Sequence, residues 1–314
     1  MIAIGIDIGG TSIKGAAITS EGKVLDVFSL PVDKADNQDQ TLDKLIAVVK
    51  NYMKEHGYNK DNIVGIGCGI PGSIDSTKGV VSYSNNLQWN NLEIVKKMEK
   101  ELGIAVKITN DANAATLGEA KFGAGKDYKN LLMVTLGTGV GGGIVIDGKL
   151  YEGNEGKGAE MGHMVVVMDG RQCTCGRKGC LEAYASATGL IRDTRDAMER
   201  DQSSKMWEIS QRIGKVDGRV AFEGMRAGDK TATEVVNNYV KYLCEGLLNY
   251  FNIFRPDAVI LSGGIANEGD FLINLLKDYC EKKNYGYTGT PKVDIIVSKL
   301  GYDSGKIGAA ALFF

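Results

Sequence analysis

The sequence predicts an α/β protein of two related lobes, and three observations carry that expectation. A segment at the N-terminus recurs once in the middle of the chain, helical stretches separate the glycine-tipped strands, and glycine is over-represented. There are 42 glycines in 314 residues, close to twice the usual share of about 7%. Only 4 prolines accompany them, so the glycines mark close backbone approaches rather than linker. The length suits two domains of about 150 residues each. Apolar residues at 43% and charged residues at 24% argue against disorder, collagen and coiled coil.

The first element is a hairpin meander. Ile2-Ala3-Ile4-Gly5-Ile6-Asp7-Ile8 runs through Gly9-Gly10-Thr11 into the apolar stretch 13–18, and a Glu21-Gly22 turn leads to Val24-Leu25-Asp26-Val27. Residues 131–150 repeat this pattern. Asp7 falls on Thr135, Gly9 on Gly137, Gly15 on Gly143, Ile18 on Ile146 and Gly22 on Gly148, with a two-residue insertion at Thr19-Ser20. A second pair follows: Ile63 to Gly67 runs into Pro71-Gly72, and Ala258 to Leu261 runs into Gly263-Gly264.

Helices are expected between these strands. Leu42, Leu45, Ile46, Val49 and Met53 share one face, with Gly57 as the C-terminal cap. Asn90 and Glu93 suggest a capping box for a helix faced by Val95, Met98 and Leu102 and closed by Gly103. Asp111 to Phe122 is alanine-rich and ends at Gly123. Thr231 to Phe254 stops before Pro256, and Gly305 to Phe314 forms a terminal helix lying on the first domain. The expected division is a small lobe of 1–110 plus 300–314 and a large lobe of 111–299.

Residues 137–142 read Gly-Thr-Gly-Val-Gly-Gly, formally the spacing of a dinucleotide loop. That loop must open a helix whose N-terminus receives the pyrophosphate; here Ile144-Val145-Ile146 and Asp147-Gly148 continue as strand and turn. Paired phosphate loops are the better reading. Glycines at Gly9, Gly10, Gly137, Gly139, Gly263 and Gly264 would let backbone N–H groups approach ATP oxygens, with the hydroxyls of Thr11 and Thr138 beside them. Asp7 is placed to hold magnesium through water. Tight hairpin turns would use the same glycines, but two related loops plus a third favour nucleotide.

Cys173, Cys175 and Cys180 lie within eight residues, and Gly170, Gly176 and Gly179 allow the chain to double back. One of only two histidines, His163, precedes them by ten residues. A closed structural zinc site of three cysteines and one histidine accounts for this clustering. Cys68, Cys244 and Cys280 lie in apolar contexts and read as buried small hydrophobes. Glu160 and Glu182 flank the cluster where a polyol could meet them. Asp111, at the end of a strand and the start of a helix, reads as an N-cap or as a general base for an attacking hydroxyl, and both can hold at once.

Together these motifs resemble the ROK family of sugar kinases and repressors, within the actin-like ATPase superfamily. The resemblance rests on Asp7 to Lys14, Gly69 to Gly72, Asn110 to Ala114, Leu136 to Gly142, Glu160 to His163, Cys173 to Glu182 and Leu261 to Gly264. It implies a two-lobed ribonuclease H-like fold with internal duplication and an interlobe cleft. It implies Asp111 as catalytic base, sugar binding by Asn110, Glu160, His163 and Glu182 with Gly72 and Asn85 beside them, and a His163 that serves zinc and sugar with one ring nitrogen each. The implied reaction is ATP-dependent phosphorylation of a hexose, glucose to glucose 6-phosphate, with magnesium and structural zinc. Kinases for N-acetylmannosamine or N-acetylglucosamine share the frame, and a non-catalytic sugar-sensing regulator is a further alternative. Ser73, Asn85 and His163 are the candidates around sugar C2, and Trp89 either lines the pocket or packs. The family also implies a homodimer.

Charge narrows the partners. Lys and Arg number 37 against 39 Asp and Glu, and basic runs are no longer than Lys96-Lys97, so nothing tracks a nucleic-acid backbone. No apolar run approaches the roughly 20 residues of a membrane span. The expectation is a cytoplasmic enzyme with no membrane partner.

Overall fold

A computed structural model describes residues 1–286, 289 and 291–314. By contacts the chain divides into two compact units, Met1–Asn130 with Gly143–Ala159 and Lys299–Phe314, and Leu131–Gly142 with Glu160–Ser298.

The first unit is built on a five-stranded sheet. Strands β1 (Ile2–Ile8), β2 (Ser12–Thr19) and β3 (Val24–Pro31) form an antiparallel meander, helix α1 (Gln38–His56) follows, and β4 (Ile66–Ile70) lies parallel to β1. A small sheet of β5 (Ser73–Asp75), β6 (Val80–Ser84) and β7 (Trp89–Leu92) comes next, then α2 (Ile94–Leu102), β8 (Val106–Asn110) and α3 (Asp111–Phe122). The large sheet is ordered β3-β2-β1-β4-β8.

The period of two in β1 decides what each face does. Ile4, Ile6 and Ile8 are fully buried against Leu42, Leu45 and Val49 of α1 and Met98 of α2. The alternate residues Ala3, Gly5 and Asp7 face the other way, where the terminal helix packs. Small residues are required there: a Cβ on Gly5 would lie 1.8 Å from the Lys306 carbonyl oxygen, and one on Gly67 of β4 would lie 1.8 Å from that of Ala309. The same sheet face therefore carries Asp7 and admits a helix at backbone contact.

The second unit repeats the plan. Strands β9 (Leu131–Leu136), β10 (Val140–Ile146) and β11 (Lys149–Tyr151) belong to a sheet ordered β11-β10-β9-β12-β13, with β12 (Ala258–Ser262) and β13 (Asp294–Val297) in parallel succession. Its helices are α4 (Glu182–Ala185), α5 (Ala187–Arg200), α6 (Met206–Ile213), α7 (Gly218–Arg226), α8 (Lys230–Phe254) and α9 (Asp270–Lys283). Every residue of β12 is buried, as suits a central parallel strand covered on both faces. Matching β1, β2, β3, β4 and β8 to β9, β10, β11, β12 and β13 reproduces one sheet order from the other, so the sequence repeat is a repeat of topology.

The chain returns to the first unit through Lys299 and ends in α10 (Ser304–Ala310) and a 3₁₀ turn, Ala311–Phe313. The expected domain boundary at residue 110 is therefore misplaced. Helix α3 belongs to the first unit because it packs on α10 with no side chain between them: a Cβ on Gly308 would meet the Ala114 carbonyl oxygen at 1.6 Å. Glu119 locks the seam. Wholly buried, its carboxylate accepts N–H bonds from Ala124 at 2.8 Å, Lys299 at 3.1 Å and Leu300 at 2.7 Å. Residues 143–159 also join the first unit.

One local expectation needs correction, and one open alternative is decided. Helix α2 has no capping box: its N-cap is Glu93 without a side-chain bond, and Asn90 lies in β7. A capping box occurs instead at Asn37 and Gln40, before α1. Trp89 is 1% exposed and packs in the core, so it lines no pocket.

Candidate functional site

In the first unit the strand ends of β1, β4 and β8 place the predicted acidic pair. Asp7 lies opposite Lys14 in the hairpin and pairs with Gly69 of β4. The position a Gly69 Cβ would take is 3.6 Å from the Asp111 Cα, so the two aspartates flank one glycine. Gly305 of α10 closes on Asp7 from the sheet face, its missing Cβ 2.9 Å from the carboxyl carbon. Desolvation raises the Asp7 pKa and the Asp111 charge raises it further, while Lys14 and Lys306 pull it down. Lys306 is buried, with its ammonium on the Asp303 carboxylate. A hard oxygen donor in this setting fits a magnesium ion.

Asp111 is raised above its ordinary value, chiefly by desolvation, with backbone N–H groups opposing. It is not the helix cap. That role belongs to Asn110, whose Oδ1 accepts from Ala112 N at 2.9 Å and Asn113 N at 3.4 Å, while its Nδ2 donates to the Gly72 carbonyl at 3.1 Å. Asp111 Oδ1 accepts the Ala112 N–H at 2.9 Å. Gly9 N donates to Ser12 O at 3.0 Å, tightening the turn that holds Gly10 and an exposed Thr11. Gly10 lies near Asn86, and the exposed Asn85 accepts from the Tyr83 hydroxyl at 3.1 Å.

The second unit assembles the other predicted groups. Strands β9 and β12 are parallel neighbours with Ser262 opposite Thr135, so their glycine loops emerge side by side. Gly263 lies against the Leu136 backbone, 2.6 Å from its oxygen to a would-be Cβ, and Gly264 opens a 3₁₀ turn. The Gly137-Thr138-Gly139 loop leads into β10 and not into a helix. It is held from outside: Ala187 N donates to Gly137 O at 2.8 Å, and Thr188 Oγ1 to Thr138 O at 2.7 Å.

His163, Cys173, Cys175 and Cys180 place one donor atom each within 4.8 Å of one another. His163 Nδ1 is 3.6 Å from Cys173 Sγ, and Cys175 Sγ is 3.7 Å from Cys180 Sγ. A zinc tetrahedron with its usual bond lengths has edges of about 3.6 Å from nitrogen to sulfur and about 3.8 Å between sulfurs. The donor set and its spacing fit zinc. The loop turns at Gly176 and at Gly179, where a Cβ would strike the Val167 carbonyl at 1.7 Å. Cys68, Cys244 and Cys280 are buried as expected.

Glu160 is exposed beside the 3₁₀ turn that carries His163. Glu182 is more engaged. Its Oε1 accepts from Thr174 Oγ1 at 2.8 Å and from Cys173 Sγ at 3.4 Å, and its Oε2 accepts the Val140 N–H at 3.1 Å. Sequence reasoning missed Glu119, Thr174, Thr188 and Lys306. Lys306 was the most detectable, as a lone charge in a terminal helix of small residues.

Comparison with known proteins covers the whole chain. The profile of the ROK family matches residues 3–314. The glucokinase of Thermotoga maritima is 34% identical over 314 residues, covering 98% of this chain and 96% of its own. That of Halalkalibacterium halodurans is 33% identical over 314 residues, covering 98% and 94%. A crystal structure of a ROK family glucokinase from Streptomyces griseus, in complex with glucose and AMPPNP, superimposes with a TM-score of 0.80 at 31% identity, covering 100% of this chain and 99% of that one.

Proposed function

The chain belongs to the ROK family, and from that premise we propose that it is a hexose kinase that transfers the γ-phosphoryl group of ATP to the 6-hydroxyl of glucose. The observation that carries the reading is the placement of Asp111. It stands at a strand end and helix start, desolvated, one glycine away from Asp7 and clear of the capping task that Asn110 performs. A fixed carboxylate of this kind can take the proton of an attacking hydroxyl, while phosphoryl transfer otherwise depends on positioning and charge neutralisation.

Asp111 is thus the base, and Asn110, Glu160, His163 and Glu182, with Gly72 and Asn85, bind the sugar. Gly9, Gly10, Thr11, Gly137, Thr138, Gly139, Gly263 and Gly264 bind the nucleotide through backbone N–H groups and hydroxyls. Asp7 holds magnesium, which neutralises phosphate charge when bound. The four-residue cluster holds zinc structurally, because four protein ligands complete its tetrahedron. Among the described residues no helix is long and apolar enough to cross a membrane, and we extend the reading to a cytoplasmic homodimer on family likeness.

An ATP-consumption assay over a panel of hexoses and N-acetylhexosamines tests the substrate. The highest kcat/KM is expected on glucose. A higher value on N-acetylmannosamine or N-acetylglucosamine would replace glucose as the assignment.

A further inference from the structure

The metal cluster and the glycine loop of β9 and β10 are joined by one side chain. Glu182 Oε1 holds the cysteine loop through Thr174 and Cys173, and its Oε2 holds the Val140 N–H at the end of the Gly137–Gly139 loop. The fit is tight: a Cβ on Gly139 would lie 2.3 Å from Glu182 Oε2. The residues that follow complete the brace, because Ala187 and Thr188 hold the carbonyls of Gly137 and Thr138. The stretch immediately after Cys180 therefore fastens the glycine loop at three points.

We propose that Glu182 links the metal loop to the nucleotide loop, so that zinc occupancy and nucleotide affinity are thermodynamically coupled, with Thr174 as the positioning residue on the metal side. This rests on reading the cluster as a zinc site and the Gly137–Gly139 loop as a nucleotide site. The physical argument is short. A thiolate bound to metal has no proton to donate, so in the zinc-bound protein the Thr174 hydroxyl is the donor that aims Glu182 from the cysteine loop. If the cysteine loop loses its centre, Thr174 is released, Glu182 loses its fixed direction, and the Val140 N–H loses the acceptor that sets the loop.

Coupling of this kind is reciprocal and falls typically between 5-fold and about 150-fold. The test is an equilibrium competition for zinc between the full-length protein and a chromogenic chelator, with and without saturating ADP and with no sugar present. ADP is expected to tighten zinc retention at least about 5-fold, and calorimetry is expected to show ADP binding weakened by the same factor once zinc is removed. In Thr174→Val, which keeps all four ligands, the factor should fall toward one. Superimposable chelator curves in the unmodified protein overturn the proposal. So does an undiminished factor in Thr174→Val, which would mean that zinc loss acts through general unfolding. Absence of stoichiometric zinc by elemental analysis, or of any ADP binding, would instead strike the underlying reading.

Discussion

Asp111 carries a charge where the fold discourages one. Its pKa is raised from 3.8, mainly by desolvation, so the folded chain holds the proton more tightly than the unfolded chain. The stabilising contribution is complete below 3.8 and is lost as pH rises through the folded value, leaving at neutral pH a carboxylate that opposes folding. Asp111→Asn is accordingly expected to raise Tm at pH 7 while lowering kcat at least about 10²-fold with glucose affinity little changed. Calorimetry and steady-state kinetics check both halves, and near-normal turnover removes Asp111 as the base. In the unmodified enzyme the acid limb of kcat/KM should lie above the ordinary carboxylate range. The placement of this residue between strand and helix was legible because a strand, an Asn-Asp pair and an alanine-rich stretch stand in sequence. Its freedom from capping was not, since either residue of the pair could cap and only backbone geometry assigns the task to Asn110.

The seam between α3 and α10 depends on the absence of side chains. At Gly308 a Cβ would meet the Ala114 backbone oxygen at 1.6 Å, whereas at Gly57, the left-handed cap of α1, nothing lies within 4 Å. Gly57→Ala is expected to lose about 1 kcal/mol from backbone conformation alone. Gly308→Ala must move one helix away from the other, and a loss of about 3 kcal/mol or more is expected. Denaturant melts of the two variants would show this contrast, and equal losses would mean that the helices are not in backbone contact. Most elements were readable from periodicity and punctuation: α3 spans Asp111–Phe122 with Gly123 after it, as the alanine run and glycine suggest. The sheet of β5, β6 and β7 was not, because its strands are three to five residues long and mix polar with apolar positions. The seam itself leaves only a scatter of glycines whose partners lie far along the chain.

For the molecule, the legible feature was duplication and the illegible one was partition. The two five-stranded sheets share one strand order, and the glycine repeats report it because each marks the same turn. Membership of a unit is decided by long-range packing, which is why α3 could not be assigned from sequence to the unit that α10 completes. Read as a zinc site, the four-residue cluster would act at this scale too, by tying the cysteine loop to the His163 turn. Cys175→Ala is expected to contain no stoichiometric zinc by elemental analysis and to bind glucose at least about 10-fold more weakly, as removal of a structural ligand abolishes the site. A fully active preparation without zinc would refute the structural role.

The packing of α10 on β1 has a consequence for how the protein is made. The glycine face of β1 is synthesised well before the helix that covers it, which is encoded some 300 residues later, about 15–60 s of synthesis. Through that interval the nascent sheet lacks its cover, and Asp7 lacks the wall supplied by Gly305. Synthesis of α10, and not of the strands it covers, is therefore the event that lets the Asp7 end of this sheet acquire its final form.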